Sequence, residues 1–232
     1  MKKFTIKALA LCLSGVVLMS CEKSEESEVN PFAVSQTENF GTDPSSCEII
    51  EFDAETPVRF EKGAAATVYS QNTPVRIQAQ YRKNKGDYHK QNRALIFDTS
   101  SPDANNAKFR TPNPAAIRPM GEVLTFGQAQ GGAYKLYNKG GRIELDFSAM
   151  GSINLKGIHV LDITSDEAKS KIELIGKNNR VIKTMALPVT DAYGATRLSI
   201  DTPGVVKLRV VFGPSHSRKG GGAIDVIEFC RE

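Results

Sequence analysis

Four aspartates in this 232-residue chain could supply oxygen ligands to a hard cation. Calcium is held in proteins by six to eight oxygens from carboxylates, carbonyls and water. The four lie at predicted strand ends or in loops, and a fold that joins its two termini would gather them: Asp53, Asp98, Asp103 and Asp225. They predict a structural calcium site. The alternative interpretation is that they cap turns or are solvated.

A second group of residues could bind a sugar. Binding pockets combine apolar and aromatic side chains with a few fixed polar groups, and this chain has six Tyr but no Trp. The candidates are Tyr81, Arg82, Asp87, Tyr88, His89, Tyr134 and Tyr137. Tyrosines that are half-buried in a sheet are the alternative.

Two loops carry local positive charge. They are Arg82–Lys85 and the segment His216–Gly222, which contains Arg218. Each could meet an anionic partner such as a sulfated or uronate-containing polysaccharide, and solvated loops are the alternative. The glycine run lacks the spacing of a phosphate-binding loop.

No pattern for catalysis is present. The three histidines are far apart and have no metal-ligand spacing, and the Gly-x-Ser-x-Gly motif of α/β-hydrolases is absent. A glycosidase needs two carboxylates that face each other across a cleft. The sequence contains many possible pairs of acidic residues and indicates none of them in particular. We therefore expect a protein that is not an enzyme.

Alternating apolar and polar residues indicate the elements that must position these side chains. Arg142–Phe147 places Ile143, Leu145 and Phe147 on one face, and Val206–Phe212 repeats the pattern. Ile153–Ile163 needs a bulge at Lys156-Gly157 to keep its phase. Further strands are predicted at Cys47–Phe52, Ala66–Tyr69, Pro74–Tyr81, Ala94–Phe97, Val123–Phe126, Ile172–Ile175, Val181–Met185, Arg197–Ile200 and Ala223–Phe229.

About a dozen short strands without intervening helices favour an all-β fold, an antiparallel two-sheet β-sandwich. Lys177-Asn178-Asn179 is predicted to be a hairpin loop and Thr202-Pro203-Gly204 a tight turn, with one helical turn near Asp166–Ser170. We expect a single β-sandwich domain over residues 47–232.

Three short motifs carry a resemblance. They are Glu51-Phe52-Asp53, Ala94-Leu95-Ile96-Phe97-Asp98-Thr99 and Gly222-Ala223-Ile224-Asp225. In this order they resemble a jelly-roll module of secreted bacterial proteins, similar to galactose-binding-like and carbohydrate-binding sandwiches. The loop after Asp98 has fewer acids than that family usually has, which weakens any metal site implied by the resemblance.

The N-terminus has the pattern of an export signal. A basic start, Met1–Lys7, precedes the short apolar stretch Ala8–Met19. Leu18-Met19-Ser20-Cys21 resembles the lipobox of bacterial lipoproteins, which implies cleavage after residue 20 and acylation of Cys21. Several acyl chains together anchor a protein stably to a membrane. An ordinary cleaved signal with a chance cysteine is the alternative.

Residues 21–46 are predicted to be an acidic, flexible tether, because Glu22–Glu28 is charged and lacks apolar residues. The acidic run resembles a signal that sends lipoproteins to the outer face in some Gram-negative bacteria. We therefore expect an outer-membrane lipoprotein at the cell surface, with a periplasm-facing one as the alternative.

Of the four cysteines, Cys12 leaves with the signal and Cys21 takes the lipid, so Cys47 and Cys230 remain. Two cysteines at the extremes of an exported domain predict a disulfide. Without residues 1–20 the chain has 27 basic and 26 acidic residues, or a net charge of +1. That balance excludes a general nucleic-acid binder.

Together these features predict a surface-anchored, non-catalytic recognition lipoprotein that binds extracellular carbohydrate. The alternative is a protein-interaction subunit, such as an adhesin or an accessory part of an envelope complex. The expected partners are the membrane, through the lipid, and a polysaccharide or a cell-surface protein.

Overall fold

The computed structural model describes residues 47–83, 87–100, 120–130, 133–167, 169–190, 194–213 and 220–232. For residues 129, 130, 133 and 134 it describes the main chain only. All of them belong to one compact unit.

The described residues form two antiparallel sheets, with strands β1–β14 numbered in chain order. Sheet I contains β1 (Cys47–Ile50), β5 (Ala94–Asp98), β6 (Glu122–Gln130), β7 (Ala133–Leu136), β9 (Ile153–Leu161), β12 (Ala195–Val205) and β14 (Ala223–Arg231). Sheet II contains β2 (Val58–Glu61), β3 (Ala64–Ser70), β4 (Thr73–Tyr81), β8 (Gly141–Asp146), β10 (Lys171–Ile175), β11 (Val181–Ala186) and β13 (Lys207–Phe212). The predicted antiparallel β-sandwich is confirmed.

The strand order explains how the ends of the chain meet. Sheet I runs β12-β9-β14-β6-β5, with β1 also on β14 and β7 on β6; sheet II runs β11-β10-β13-β8-β4-β3-β2. From β8 to β14 the chain crosses repeatedly between the sheets, as in a jelly roll. The last strand therefore lies inside sheet I, beside the first.

Apolar faces of both sheets form the core, as the alternation predicts. Ile143, Leu145 and Phe147 are fully buried, and aromatic pairs join the sheets, with Phe126 and Phe212 at 5.5 Å and Phe147 and Phe229 at 5.5 Å between ring centroids. Ring pairs at such distances add to the free energy gained by burying their area.

The predicted disulfide is confirmed. Cys47 lies directly opposite Cys230 in the β1–β14 register, and the two are bonded across a sequence separation of 183 residues. Chain-entropy estimates for so long a loop give at most about 5 kcal/mol of stabilisation. The bond joins the start of the described domain to its last strand.

Three details of the strand prediction need comment. The predicted bulge in β9 is confirmed. Lys156 is an extra residue of β9 between the consecutive pairs Gly157–Glu228 and Leu155–Phe229. The turn predicted at residues 202–204 is wrong: β12 continues to Val205 and absorbs the extra residues as register shifts against β9. Strands β2 and β7 were not predicted, since their sequences, VRFE and AYKL, show too little alternation.

Helical structure in the described residues is confined to one-turn 3-10 helices at Ser165–Glu167 and Lys177–Asn179. Both lie at the positions predicted for a helical turn and a hairpin loop. Within the described part of the chain, no helix has the length and apolar character needed to cross a membrane.

Candidate functional site

The end of β4 and the segment after it bring several predicted site residues together. The chain folds back so that Arg82 and Tyr88 form an antiparallel bridge. The main-chain N–H of Lys83 donates to the Asp87 carbonyl at 2.6 Å, and that of His89 donates to the Tyr81 carbonyl at 2.9 Å. Residues 81 and 89 therefore lie side by side although eight positions separate them.

Three rings stack at this end of the sandwich. The Tyr81 ring lies 4.8 Å from the His89 ring and 4.5 Å from the Tyr137 ring, both tilted. Tyr81 and Tyr137 also pack against the main core. We refer to Tyr81, Tyr88, His89 and Tyr137, all partly buried, as the aromatic cluster. Since Tyr81 contacts two rings, the outer members of this stack are His89 and Tyr137.

Tyr88 lies against two guanidinium groups rather than another ring. The Cζ atom of Arg142 is 4.3 Å from the Tyr88 ring centroid, and that of Arg82 is 5.7 Å away. Cations within about 6 Å of a ring centroid are attracted by the negative face of the π system. Arg142 is held in turn by donating from Nε to Gln80 Oε1 at 2.8 Å.

Arg82 anchors the cluster to sheet II. Its side chain is buried, and Nη2 donates to the carbonyls of Phe212 at 3.4 Å and Gly213 at 3.1 Å. Its own carbonyl accepts from the Tyr137 hydroxyl at 2.9 Å. Gly140 is required beside it, because φ is +88° and a Cβ atom would lie 2.5 Å from Arg82 Nη1. Sequence analysis predicted Arg82 as a ligand contact, whereas its described bonds are made to the fold.

The segment that contains Tyr81, Tyr88 and His89 is rich in basic residues. Residues 80–93 contain five basic side chains and one acidic one, Asp87, which is a charge of +4. Lys83, Asp87 and Lys90 are exposed. Partly exposed rings beside positive charge are suited to a ligand that has both an apolar face and anionic groups.

Three of the four predicted metal ligands, Asp53, Asp98 and Asp225, are described, and they do not form a described metal site. Asp53 Oδ1 accepts from the Glu122 N–H at 2.8 Å, and Asp98 pairs with Glu122 across β5 and β6. Asp98 Oδ1 also accepts from the Ser100 N–H at 2.8 Å, which closes a local turn. Over the described ranges, no three His, Cys, Asp or Glu residues are grouped to hold a metal. The calcium site stays a prediction.

These carboxylates nevertheless influence each other. Burial raises the pKa of Glu122, and the nearby charges of Asp98 and Asp53 raise it further. Burial and the charge of Asp53 raise the pKa of Glu51. Burial, followed by the charges of Glu51 and Asp53, raises the pKa of Asp225 to about 7. This edge of the sandwich therefore has an excess of negative charge.

Some predicted residues cannot be placed. Cys21, Asp103 and Arg218 lie outside the described residues, and for Tyr134 only the main chain, in β7, is described. Conversely, sequence analysis missed Arg142 as part of the site. The available signal was its position in a predicted strand that could pair with the strand ending at Tyr81.

Comparison with known proteins leaves the family open. No protein-family model and no curated protein sequence matches this chain. A DUF4465 family protein from Bacteroides ovatus is 8% identical over 81% of this chain and 99% of its own, with a TM-score of 0.38. A fucose binding module from Streptococcus pneumoniae is 13% identical over 75% and 100%, with a TM-score of 0.36. TmCBM61, solved in complex with β-1,4-galactotriose, is 12% identical over 69% and 90%, with a TM-score of 0.36.

Proposed function

We propose that this protein is a surface-anchored lipoprotein that recognises an acidic extracellular carbohydrate without catalysis, through the aromatic cluster. The supporting observation is the cluster itself: partly exposed rings whose neighbour Arg142 lies 4.3 Å from the centroid of Tyr88, within a segment of charge +4. The C–H face of a sugar packs on such rings, and its carboxylate or sulfate is attracted to the cationic groups.

The position of the cluster supports this proposal. Cys47, where the described chain begins, lies in β1 beside the end of β14. Ser70 Oγ donates to Glu48 of β1, so the β3–β4 turn lies at this same end. Tyr81 is at the far end of β4, about 26 Å away for eight residues of strand. The aromatic cluster therefore lies at the end of the domain opposite Cys47, the first described residue after the predicted tether.

Thermal melting of the purified protein with polysaccharides tests the proposal. We expect polygalacturonate or a sulfated glycan to raise the melting temperature. Ligand at a hundred times its dissociation constant stabilises by about 2.7 kcal/mol. Because the attraction is ionic, the shift should shrink as salt is added.

Variants assign the binding to the cluster. Tyr88→Ala should abolish the shift with the acidic glycan, measured against the melting temperature of the variant alone. Tyr69→Ala is the matched control, because Tyr69 is also a partly buried tyrosine, in β3. If no acidic glycan binds, or if Tyr88→Ala retains the full shift, the proposal is wrong.

One observation favours a protein partner as the second candidate. Strand β11 is an edge strand of sheet II, and it exposes Val181 at 44% and Ile182 at 45%. An open strand edge with apolar side chains can add a strand from another protein. Binding of a cell-surface protein that Ile182→Lys abolishes and Tyr88→Ala leaves intact would support this second function.

A further inference from the structure

A groove with a volume of about 770 Å³ lies beside the Cys47–Cys230 bond, and residues of both sheets and of the segment before β2 line it. That volume is within the range of small-molecule binding sites. We call it the disulfide groove. It has an apolar floor of Ile49, Pro57 and Tyr69 and a charged rim of Lys156, Arg197 and Glu228.

The floor is an accessible apolar surface on a rigid support. Ile49 is 58% exposed although it lies in the middle of β1. Its strand is held to β14 by main-chain pairing and by the disulfide at one end. A surface fixed in this way loses little conformational entropy when a ligand packs on it.

The rim presents charges that are already paired. Arg197 donates from Nε to Glu228 Oε1 at 2.8 Å, and its Nη2 contacts the second carboxylate oxygen. Lys156 Nζ lies 2.6 Å from Asp201 Oδ1. Side chains in an ion pair still have hydrogen-bond donors and acceptors for the hydroxyls of a ligand, while the net charge of the pair is small. The residues that line the groove include three acidic and two basic side chains. The groove therefore does not attract an anion.

Three backbone irregularities, a bulge and two register shifts, lie near this rim. The bulge of β9 lies at Lys156, a register shift of β14 lies between Asp225 and Glu228, and another in β12 lies between Ser199 and Thr202. Val226, within the β14 shift, has a φ of +45°, which is a strained conformation for a β-branched residue. Bulges re-aim side chains and are common beside functional sites.

The disulfide groove is distant from the aromatic cluster. Ser70 and Gln71, which also line the groove, directly precede Thr73 and β4, whereas Tyr81 ends β4. The two sites therefore lie at opposite ends of this strand, about 26 Å apart. Their charges also differ, since the segment that contains Tyr81, Tyr88 and His89 is rich in basic residues and the groove is close to neutral.

From these features we infer that the disulfide groove is a second, separate binding site, for a short neutral sugar chain. The C–H face of a pyranose packs on Ile49 and Tyr69, and its hydroxyls donate to Glu228 and accept from Arg197 and Lys156. The volume suits a ligand of two or three sugar rings, in the size range of ligands for such pockets.

Calorimetric titration of the purified protein with neutral gluco-, galacto- and manno-trisaccharides tests this inference. We expect at least one to bind and Ile49→Lys to weaken its binding at least tenfold. Val189→Lys is the control, because Val189 is also an exposed aliphatic residue, at 45%. It should bind as the unmodified protein does. Arg197→Gln, which keeps the floor but removes the charged guanidinium, should also weaken binding about tenfold, consistent with loss of a charge-assisted hydrogen bond.

The outcomes separate this site from the proposed function. The inference is overturned if no neutral trisaccharide binds, if Ile49→Lys binds normally, or if Val189→Lys is equally weakened. It is also overturned if Tyr88→Ala removes the trisaccharide signal, because the ligand would then lie at the aromatic cluster. Loss of acidic-glycan binding in Tyr88→Ala with intact trisaccharide binding supports two sites.

Discussion

At the scale of single residues, burial determines the chemistry of Asp225. This β14 residue is 3% exposed, and its Oδ1 atom has no hydrogen-bond partner among the described residues. Burial disfavours the charged form, and the neighbouring charges of Glu51 and Asp53 add to the effect, which raises the pKa to about 7. Hydrogen bonds from the main chain of Phe52 and Val226 oppose the shift only partly.

The raised pKa predicts how stability depends on pH. The folded state holds the Asp225 proton up to about pH 7, whereas the unfolded chain loses it near pH 4. This group's stabilising contribution is therefore complete below about pH 4, is lost as pH rises towards 7, and is absent above that. The loss is on the order of 3 to 4 kcal/mol. Asp225→Asn should remove this dependence and unfold at higher denaturant than the unmodified protein at pH 8.

Urea unfolding between pH 5 and 8 measures the difference. Asp87→Asn, at an exposed aspartate, should keep the original dependence. Parallel curves for the unmodified protein and Asp225→Asn would contradict the prediction. Adding calcium or EDTA to the same series tests the predicted calcium site. Equal melting in both would count against calcium.

At the scale of elements, one side chain ties three strands together. Asn92 Oδ1 accepts from the N–H groups of Ala79, at 2.8 Å, and Ala94, at 3.1 Å. Its Nδ2 donates to the carbonyls of Ala65, at 2.7 Å, and Ile77, at 3.1 Å. It thus joins β3 and β4 of sheet II to the start of β5 in sheet I. Strand propensity gives no hint of this, because three of the four bonds are made to residues 13 or more positions away in sequence.

Asn92→Ala is expected to lower the free energy of unfolding by about 2 to 6 kcal/mol. Four hydrogen bonds are lost, each worth about 0.5 to 1.5 kcal/mol net, and partly buried main-chain groups lose their partners. Urea unfolding measures this. Asn138→Ala, at an exposed loop position, should change stability by less than about 0.5 kcal/mol. An Asn92→Ala effect as small as that of the control would contradict the proposed role.

At the scale of the whole molecule, lipidation of Cys21 is the prediction with the clearest test. We expect Cys21→Ser to incorporate no labelled palmitate and to leave the membrane fraction, since acyl chains are the proposed anchor. Cys12→Ser, inside the predicted signal, should be labelled and anchored normally. Continued membrane association of Cys21→Ser would show that something other than the lipid holds the protein.

The sequence by itself determined the fold class. A strand with one buried face has alternating apolar and polar residues, as in Arg142–Phe147 and Lys207–Phe212. It also determined the disulfide, by elimination among four cysteines. The turn prediction at Thr202–Gly204 was wrong because residues typical of turns can also form bulges within a strand. Local pattern could not distinguish these uses.

Only the tertiary structure decided which side chains meet. Tyr81, His89 and Tyr137 were candidates from the sequence, but their stacking, and the contact of Arg142 with Tyr88, depend on the pairing of β4 with β8. The disulfide groove had no sequence signal at all. Its floor and rim come from segments more than 80 residues apart. Such long-range contacts follow from the packing and register of the strands, which no local pattern encodes.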